Sequence, residues 1–162
     1  FVALDAKGEL GWESGRFANK GRAEAHVIEI LTEAAPLPYR AYLRKRGVSY
    51  ILAGKTELDR QLAMEKLYRL FHIKMLLICG GGAADWTFLQ AGLVDELSLV
   101  LSPVTDGSSG TASVFAQFPA QGAGQPVEFD LKTVQPLGGG GLHLRYLAKN
   151  ARQSEEAGGS EL

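Results

Sequence analysis

The sequence is short of several things, and each shortage excludes a class of function. One cysteine, Cys79, stands among 162 residues, so neither an internal disulfide framework nor a multi-cysteine zinc site is available. The three histidines, His26, His72 and His143, lie far apart, and no pair has the spacing of a zinc site; no metal is expected. Apolar runs stay far below the ~20 residues of a membrane-spanning helix. No signal-peptide pattern is visible, and a cytoplasmic location is expected. Charge of one sign is lacking too. Lys plus Arg number 17 and Asp plus Glu 18, a net charge of −1, which is not the basic footprint of a nucleic-acid binder. A serine-hydrolase elbow is missing, since Gly11-Trp12-Glu13-Ser14-Gly15 places its serine one position too late.

What is present predicts a folded α/β chain. Hydrophobic residues make up 46% and charged residues 22%, enough apolar content for a real core. A single domain is expected over residues 1–149. A polar tail follows over 150–162 and is expected to be disordered. The chain opens at Phe1 inside a strand-like run, so the domain is expected to be truncated at its N-terminus.

Val2-Ala3-Leu4 predicts a short strand that ends in the turn cluster Asp5-Ala6-Lys7-Gly8. Residues 11–25 show no period and read as loop. His26 to Leu31 is rich in β-branched residues and predicts a strand. Pro36 and Pro38 ahead of Tyr39–Arg46, with Gly47 behind, predict a helix. Val48–Ala53 predicts the next strand and Gly54-Lys55 a turn. Thr56 is the expected N-cap of a helix that carries Leu58, Leu62, Ala63, Leu67, Leu70 and Phe71 at helical spacing. The apolar run Lys74–Cys79 predicts a strand covered on both faces. Gly80-Gly81-Gly82 ends that run, and Ala83–Ala91 predicts a short helix. Val94–Val104 predicts a long strand. Val127–Val134 and Leu142–Leu147, around Gly138–Gly141, predict a closing antiparallel hairpin. Strands that alternate with helices imply a mixed, mostly parallel sheet with helices on its faces.

The strongest chemical signal is strand, Gly80-Gly81-Gly82, helix. Glycines admit a ligand close to the backbone, and the helix start offers free N–H groups with a partial positive charge. Together they suit a phosphate or pyrophosphate, although a tight turn with no ligand fits the same residues. Two better-known motifs fail. Asp85 occupies the sixth place of the dinucleotide fingerprint, and Ser49 stands where a phosphate-binding loop ending in Gly54-Lys55-Thr56 needs glycine. Lys55 could approach a phosphate as a point charge, though a solvated turn lysine is the simpler reading. Arg40, Arg44, Lys45 and Arg46 read as a solvated helix face ahead of a 2′-phosphate clamp. Cys79 reads as a buried strand-end thiol ahead of a reactive one.

Three blocks make the sequence recognisable. They are Leu76-Leu77-Ile78-Cys79-Gly80-Gly81-Gly82, Phe88-Leu89-Gln90-Ala91-Gly92-Leu93-Val94-Asp95-Glu96-Leu97 and Ser102-Pro103-Val104-Thr105-Asp106-Gly107. They resemble the C-terminal reductase domain of the bifunctional riboflavin-biosynthesis deaminase-reductase (RibD), a family similar in structure to dihydrofolate reductase. The resemblance extends to Val2–Asp5, to His26–Thr32 and to the hairpin. It implies a single dihydrofolate-reductase-like domain without its first strand and helix. It also implies an NADPH-dependent reductase of a ribosylamino-pyrimidine phosphate, whose ribose is reduced to ribityl by hydride transfer. Position by position, it assigns Gly80, Gly81, Gly82 and Ala83 to the cofactor diphosphate, Asp5 and Ala6 to the adenosine phosphate end, and Thr32 and Gly54 to the cofactor groove. A cis peptide between two of the glycines is expected by the same analogy, as is a homodimer. Cys79 stands where the family usually has glutamate, and no catalytic residue is assigned. The alternative is a nucleotide-binding module with impaired turnover, or a dimerisation domain.

Overall fold

The computed structural model describes residues 1–18, 21, 23–105, 107–117 and 124–149. The tail expected to be disordered, 150–162, and Asp106 of the resemblance lie outside the described residues. The chain divides into two compact units, Phe1–Leu76 and Leu77–Leu162.

The first unit contains β1 (Val2–Leu4), β2 (Arg16–Phe17), β3 (Ala25–His26), β4 (Ile28–Leu31), α1 (Leu37–Arg46), β5 (Ser49–Leu52) and α2 (Arg60–Phe71). β1, β4 and β5 form a parallel sheet with β4 in the middle, where Ile30 faces Leu4 on one side and Ile51 on the other. Every residue of β4 is buried, and its alternation explains how. Ile28 and Ile30 join Ile51, Ala63 and Leu67 in a core beneath α2. Leu31, with Val27 just before the strand, joins Leu43 and Val48 in a second core beneath α1. The β-branched run is therefore a central strand covered on both faces.

The helix ends follow local chemistry. Proline enters α1 in its first turn, where the missing N–H costs nothing. Gly47 closes α1 at φ +70°, its N–H reaching back to Arg44 O and Leu43 O. Helix α2 begins later than expected: Asp59, not Thr56, is its N-cap, accepting from the Leu62 N–H at 2.9 Å. Residues 54–58 are spent in a tight turn that the Asp59 N–H closes onto Ala53 O at 3.0 Å. The stretch expected as loop over 11–25 holds one short ladder, β2 against β3.

The second unit contains α3 (Gly82–Gln90), β6 (Glu96–Leu101), β7 (Phe129–Pro136) and β8 (Leu142–Ala148). The three strands form an antiparallel sheet in the order β6-β8-β7, with the expected hairpin joining β7 to β8. Parallel and antiparallel parts are thus both present, in separate hydrogen-bonded sheets. The strand expected over Lys74–Cys79 is not formed. Apolar composition makes a strand only where the backbone finds a ladder partner, and here Met75 and Leu77 remain 81% and 77% exposed.

Candidate functional site

The carboxyl ends of β1, β4 and β5 are laced together in the first unit. Thr32, directly after β4, points its hydroxyl onto Ala6 O at 2.6 Å, and its own N–H donates to the same oxygen. The next residue, Glu33, donates its N–H to Gly54 O at 2.9 Å, and Ala34 donates to Lys55 O at 2.9 Å. Asp5, Ala6, Thr32 and Gly54 are therefore brought to one rim. The side chains of Asp5 and Thr32 are consumed there by the protein itself. Asp5 accepts the N–H groups of Gly8, Glu9 and Leu10 at 3.0, 2.7 and 2.8 Å and so winds the loop after β1 around its carboxylate.

In the basic cluster on α1, Arg44, Lys45 and Arg46 are exposed, as a solvated face requires, whereas Arg40 is half-buried. Arg40 donates from Nε to Ala35 O at 3.1 Å and from Nη2 to Glu33 O at 2.6 Å, which clamps the loop after β4. Arg44 donates to the Tyr50 hydroxyl at 2.7 Å, and Arg46 lies over the Tyr42 ring, 5.4 Å from its centroid. Lys7 and Lys55, on the loops after β1 and β5, are exposed. The rim thus carries three cations, Lys7 and Lys55 on two loops and Arg40 on α1.

Behind it lies an acidic network that sequence reasoning did not single out. Glu29, the second residue of β4, is wholly buried. Its Oε2 accepts from Trp12 Nε1 at 2.9 Å, and its Oε1 lies 2.8 Å from the Tyr39 hydroxyl. That hydroxyl also lies 2.7 Å from Leu10 O and 3.3 Å from Asp5 Oδ2. Burial, then the neighbouring Asp5 carboxylate, push Glu29 up to about 7. Burial also pushes Asp5 upward, but Glu29 and the three loop amides outweigh it and hold Asp5 below its usual value. The signal was legible as a lone glutamate inside the apolar run His26-Val27-Ile28-Glu29-Ile30-Leu31, since an acid on a fully covered strand needs partners.

The glycine turn belongs to the second unit. Gly81 is the N-cap of α3 and brings no side-chain cap. The N–H groups of Gly81, Gly82 and Ala83 donate to nothing among the described residues. The peptide between Gly80 and Gly81 is cis, and Gly80 has φ +104°. A Cβ placed on Gly80 or Gly81 would meet open space, whereas one on Gly82 would lie 2.5 Å from Ser113 O. Gly82 is therefore required by the chain passing over it, while Gly80 and Gly81 leave their surface clear. Free amides on a helix start beside two bare glycines are what a diphosphate needs, so the turn fits that group. Asp85 sits in the first turn of α3 with a buried Oδ1 that finds no partner among the described residues. Burial raises its carboxyl, against the Gly80 N–H.

Cys79 is exposed rather than buried, because the covered strand that it was expected to end is not formed. Two histidines pair with serines, His26 with Ser49 at the start of β5 and His143 with Ser98 across β8 and β6, both at 2.8 Å. Glu96 takes Lys132 and Arg145 as ion-pair partners on the antiparallel sheet. Among the described residues no group of three or more His, Cys, Asp or Glu could hold a metal, and no helix is long and apolar enough to cross a membrane.

Comparison with known proteins gives a consistent set of relatives. The family model for the RibD C-terminal domain matches residues 12–143. A 2,5-diamino-6-ribosylamino-4(3H)-pyrimidinone 5′-phosphate reductase of Methanothermobacter thermautotrophicus is 33% identical over 84 residues, which are 52% of this chain and 38% of that protein. The protein of the same name from Aquifex aeolicus is also 33% identical over 84 residues and is covered to 37%. Among solved structures, a pyrimidine reductase-like protein of Corynebacterium diphtheriae matches the fold with a TM-score of 0.69 at 18% identity, over 91% of this chain and 60% of that one. Acinetobacter baumannii RibD matches with a TM-score of 0.64 at 25% identity, over 91% of this chain and 37% of that one. The chain spans less than two-fifths of the length of the two curated relatives it matches by sequence.

Proposed function

Since the chain belongs to the RibD C-terminal domain family, we propose that it is the reductase part of a riboflavin-pathway enzyme. It would bind NADPH and reduce a ribosylamino-pyrimidine phosphate. The observation that carries this reading is the row of free amides at Gly81, Gly82 and Ala83 on the start of α3. Those amides, with the dipole of α3 behind them, would hold the cofactor diphosphate. Gly80 and Gly81 would let it approach the backbone.

Taken by itself, the rim of the first unit, built from Asp5, Ala6, Thr32 and Gly54, would suit the adenosine phosphate end of a dinucleotide. Asp5 and Thr32 act there as positioning residues, because their side chains lace the loops. The cations Lys7, Arg40 and Lys55 favour NADPH over NADH, since only NADPH adds a dianionic 2′-phosphate. When bound, the nicotinamide supplies the hydride. The chain's own part is to orient the reactants and exclude water, which needs no acid–base dyad from the protein. Cys79, in place of the glutamate usual in the family, donates only its thiol to Leu77 O, at 3.8 Å, and brings no carboxylate.

Thermal unfolding tests the reading. At a hundredfold excess over its Kd, NADPH adds about 2.7 kcal/mol to stability, or roughly 5–10 °C in a chain of this length. NADH should give a smaller shift, and Lys55→Glu should narrow the difference between the two. No shift with either nucleotide would overturn the assignment, and equal shifts would overturn the preference.

A homodimer and a cytoplasmic location belong to the same reading. In the second unit, Leu97, Leu99 and Leu101 share one face of the sheet with Leu131, Val134 and Leu144. Leu101, Leu131 and Val134 are 54%, 57% and 49% exposed. A contiguous apolar face of that kind suits an interface between two identical chains. Sedimentation should give twice the chain mass, with Leu131→Lys plus Val134→Lys returning it to a monomer. A monomer in the unaltered protein would remove the proposal.

A further inference from the structure

We infer that Glu29 is a buried carboxylic acid whose proton holds the loop after β1 in place, so that the order of this loop depends on pH. The argument is a count of protons around one oxygen. The Tyr39 hydroxyl has three oxygen neighbours, Leu10 O at 2.7 Å, Glu29 Oε1 at 2.8 Å and Asp5 Oδ2 at 3.3 Å. A phenol brings one proton, and a carbonyl can only accept. If Glu29 were ionised, either Leu10 O or Glu29 Oε1 would face the phenol oxygen with no proton between them. A protonated Glu29 resolves the two short contacts and leaves only the longer one, to Asp5 Oδ2 at 3.3 Å, without a proton. Its O–H donates to the Tyr39 oxygen, the Tyr39 O–H donates to Leu10 O, and Glu29 Oε2 still accepts from Trp12 Nε1 at 2.9 Å. Asp5 remains the carboxylate of the pair, satisfied by the amides of Gly8, Glu9 and Leu10.

The surroundings favour one proton on the pair. Glu29 is 0% exposed, and a lone carboxylate there would be costly. Asp5 and Trp12 face it from the loop after β1 and Tyr39 from α1. In the sheet its register neighbours are Ala3 on β1 and Tyr50 on β5. The cations on the surrounding elements are engaged elsewhere or exposed: Arg44 donates to the Tyr50 hydroxyl, Arg46 to Glu13 O at 3.3 Å, and Lys7 is exposed. Glu29 is pushed up to about 7 from an ordinary 4.5. Between these values the folded state holds a proton that the unfolded chain has released. The Glu29 contribution to stability is therefore fully present below about 4.5, falls as the pH rises towards 7, and is lost above it. Asp5, held below its usual value, acts in the opposite sense and only at lower pH.

The inference does not rest on the cofactor reading, and its test needs no nucleotide. Urea unfolding of the unaltered chain is compared with Glu29→Gln from pH 5 to pH 8. Glutamine keeps a donor for Tyr39 and an acceptor for Trp12 but cannot titrate. The folding constant of the unaltered chain should fall by up to about tenfold per pH unit between 5 and 7 relative to the variant. Amide exchange at Gly8, Glu9 and Leu10 should lose protection over the same interval in the unaltered chain alone. Parallel profiles for the two proteins would overturn the inference. The carboxyl carbon resonance of Glu29, followed by NMR in the unaltered chain, decides the matter even if the variant fails to fold. A midpoint in the ordinary carboxylate range would refute it, and a midpoint near 7 would support it.

Discussion

A Gly81→Asp variant is expected to fold at least as well as the unaltered chain and to lose its hold on NADPH. Gly81 is the N-cap of α3, with extended backbone angles of φ −69° and ψ 172° that any residue adopts. A Cβ there meets open space. Aspartate is a better N-cap than glycine by about a few tenths of a kcal/mol, because its carboxylate accepts a free helix N–H. The same carboxylate would occupy the anion site and repel a diphosphate. Two unit charges 4 Å apart near a protein surface cost on the order of 4 kcal/mol, and about 1.4 kcal/mol already weakens binding tenfold. Nucleotide titration should therefore show a loss of at least tenfold, with the midpoint of thermal unfolding without nucleotide unchanged or raised. Unchanged affinity would mean that the amides of this turn serve only to start a helix.

Gly54→Ala should do the reverse and damage the fold before any ligand is considered. Gly54 sits at φ +98°, and an added Cβ would lie 2.0 Å from Glu57 O. The clash is with backbone, in the turn that the Ala53 carbonyl and the Asp59 N–H close, so no side chain can swing away. Strain and collision together should cost roughly 3 kcal/mol or more. Loss of the bond from Glu33 N–H to Gly54 O would also untie the rim of the first unit. A urea midpoint equal to that of the unaltered chain would contradict this geometry. The two glycines separate two meanings of the residue: one is needed by the chain, and the other leaves room for something outside it.

Much of the fold was legible because its signals are local. Proline ahead of α1 and glycine behind it, the helical spacing of Leu62, Ala63 and Leu67, and the alternation in β7 and β8 each predicted an element that is present. The failures share one cause. Lys74–Cys79 has the composition of a covered strand, but composition cannot supply a ladder partner, and Met75, Leu77 and Cys79 stay exposed. Thr56 has the chemistry of an N-cap, yet the turn after Gly54 uses up the residues that follow it, and Asp59 takes the role. Arg40 looked like a solvated helix residue because its acceptors are the backbone carbonyls of Glu33 and Ala35, which no sequence pattern displays.

The chain by itself determined its class, its family resemblance and the glycine turn, because periodicity, capping and side-chain-free backbone act over a few residues. Only the tertiary structure decided what Asp5, Glu29 and Tyr39 do. These residues are far apart in sequence, and their protonation depends on which of them share one buried oxygen network. That depends on how β1, β4 and α1 pack.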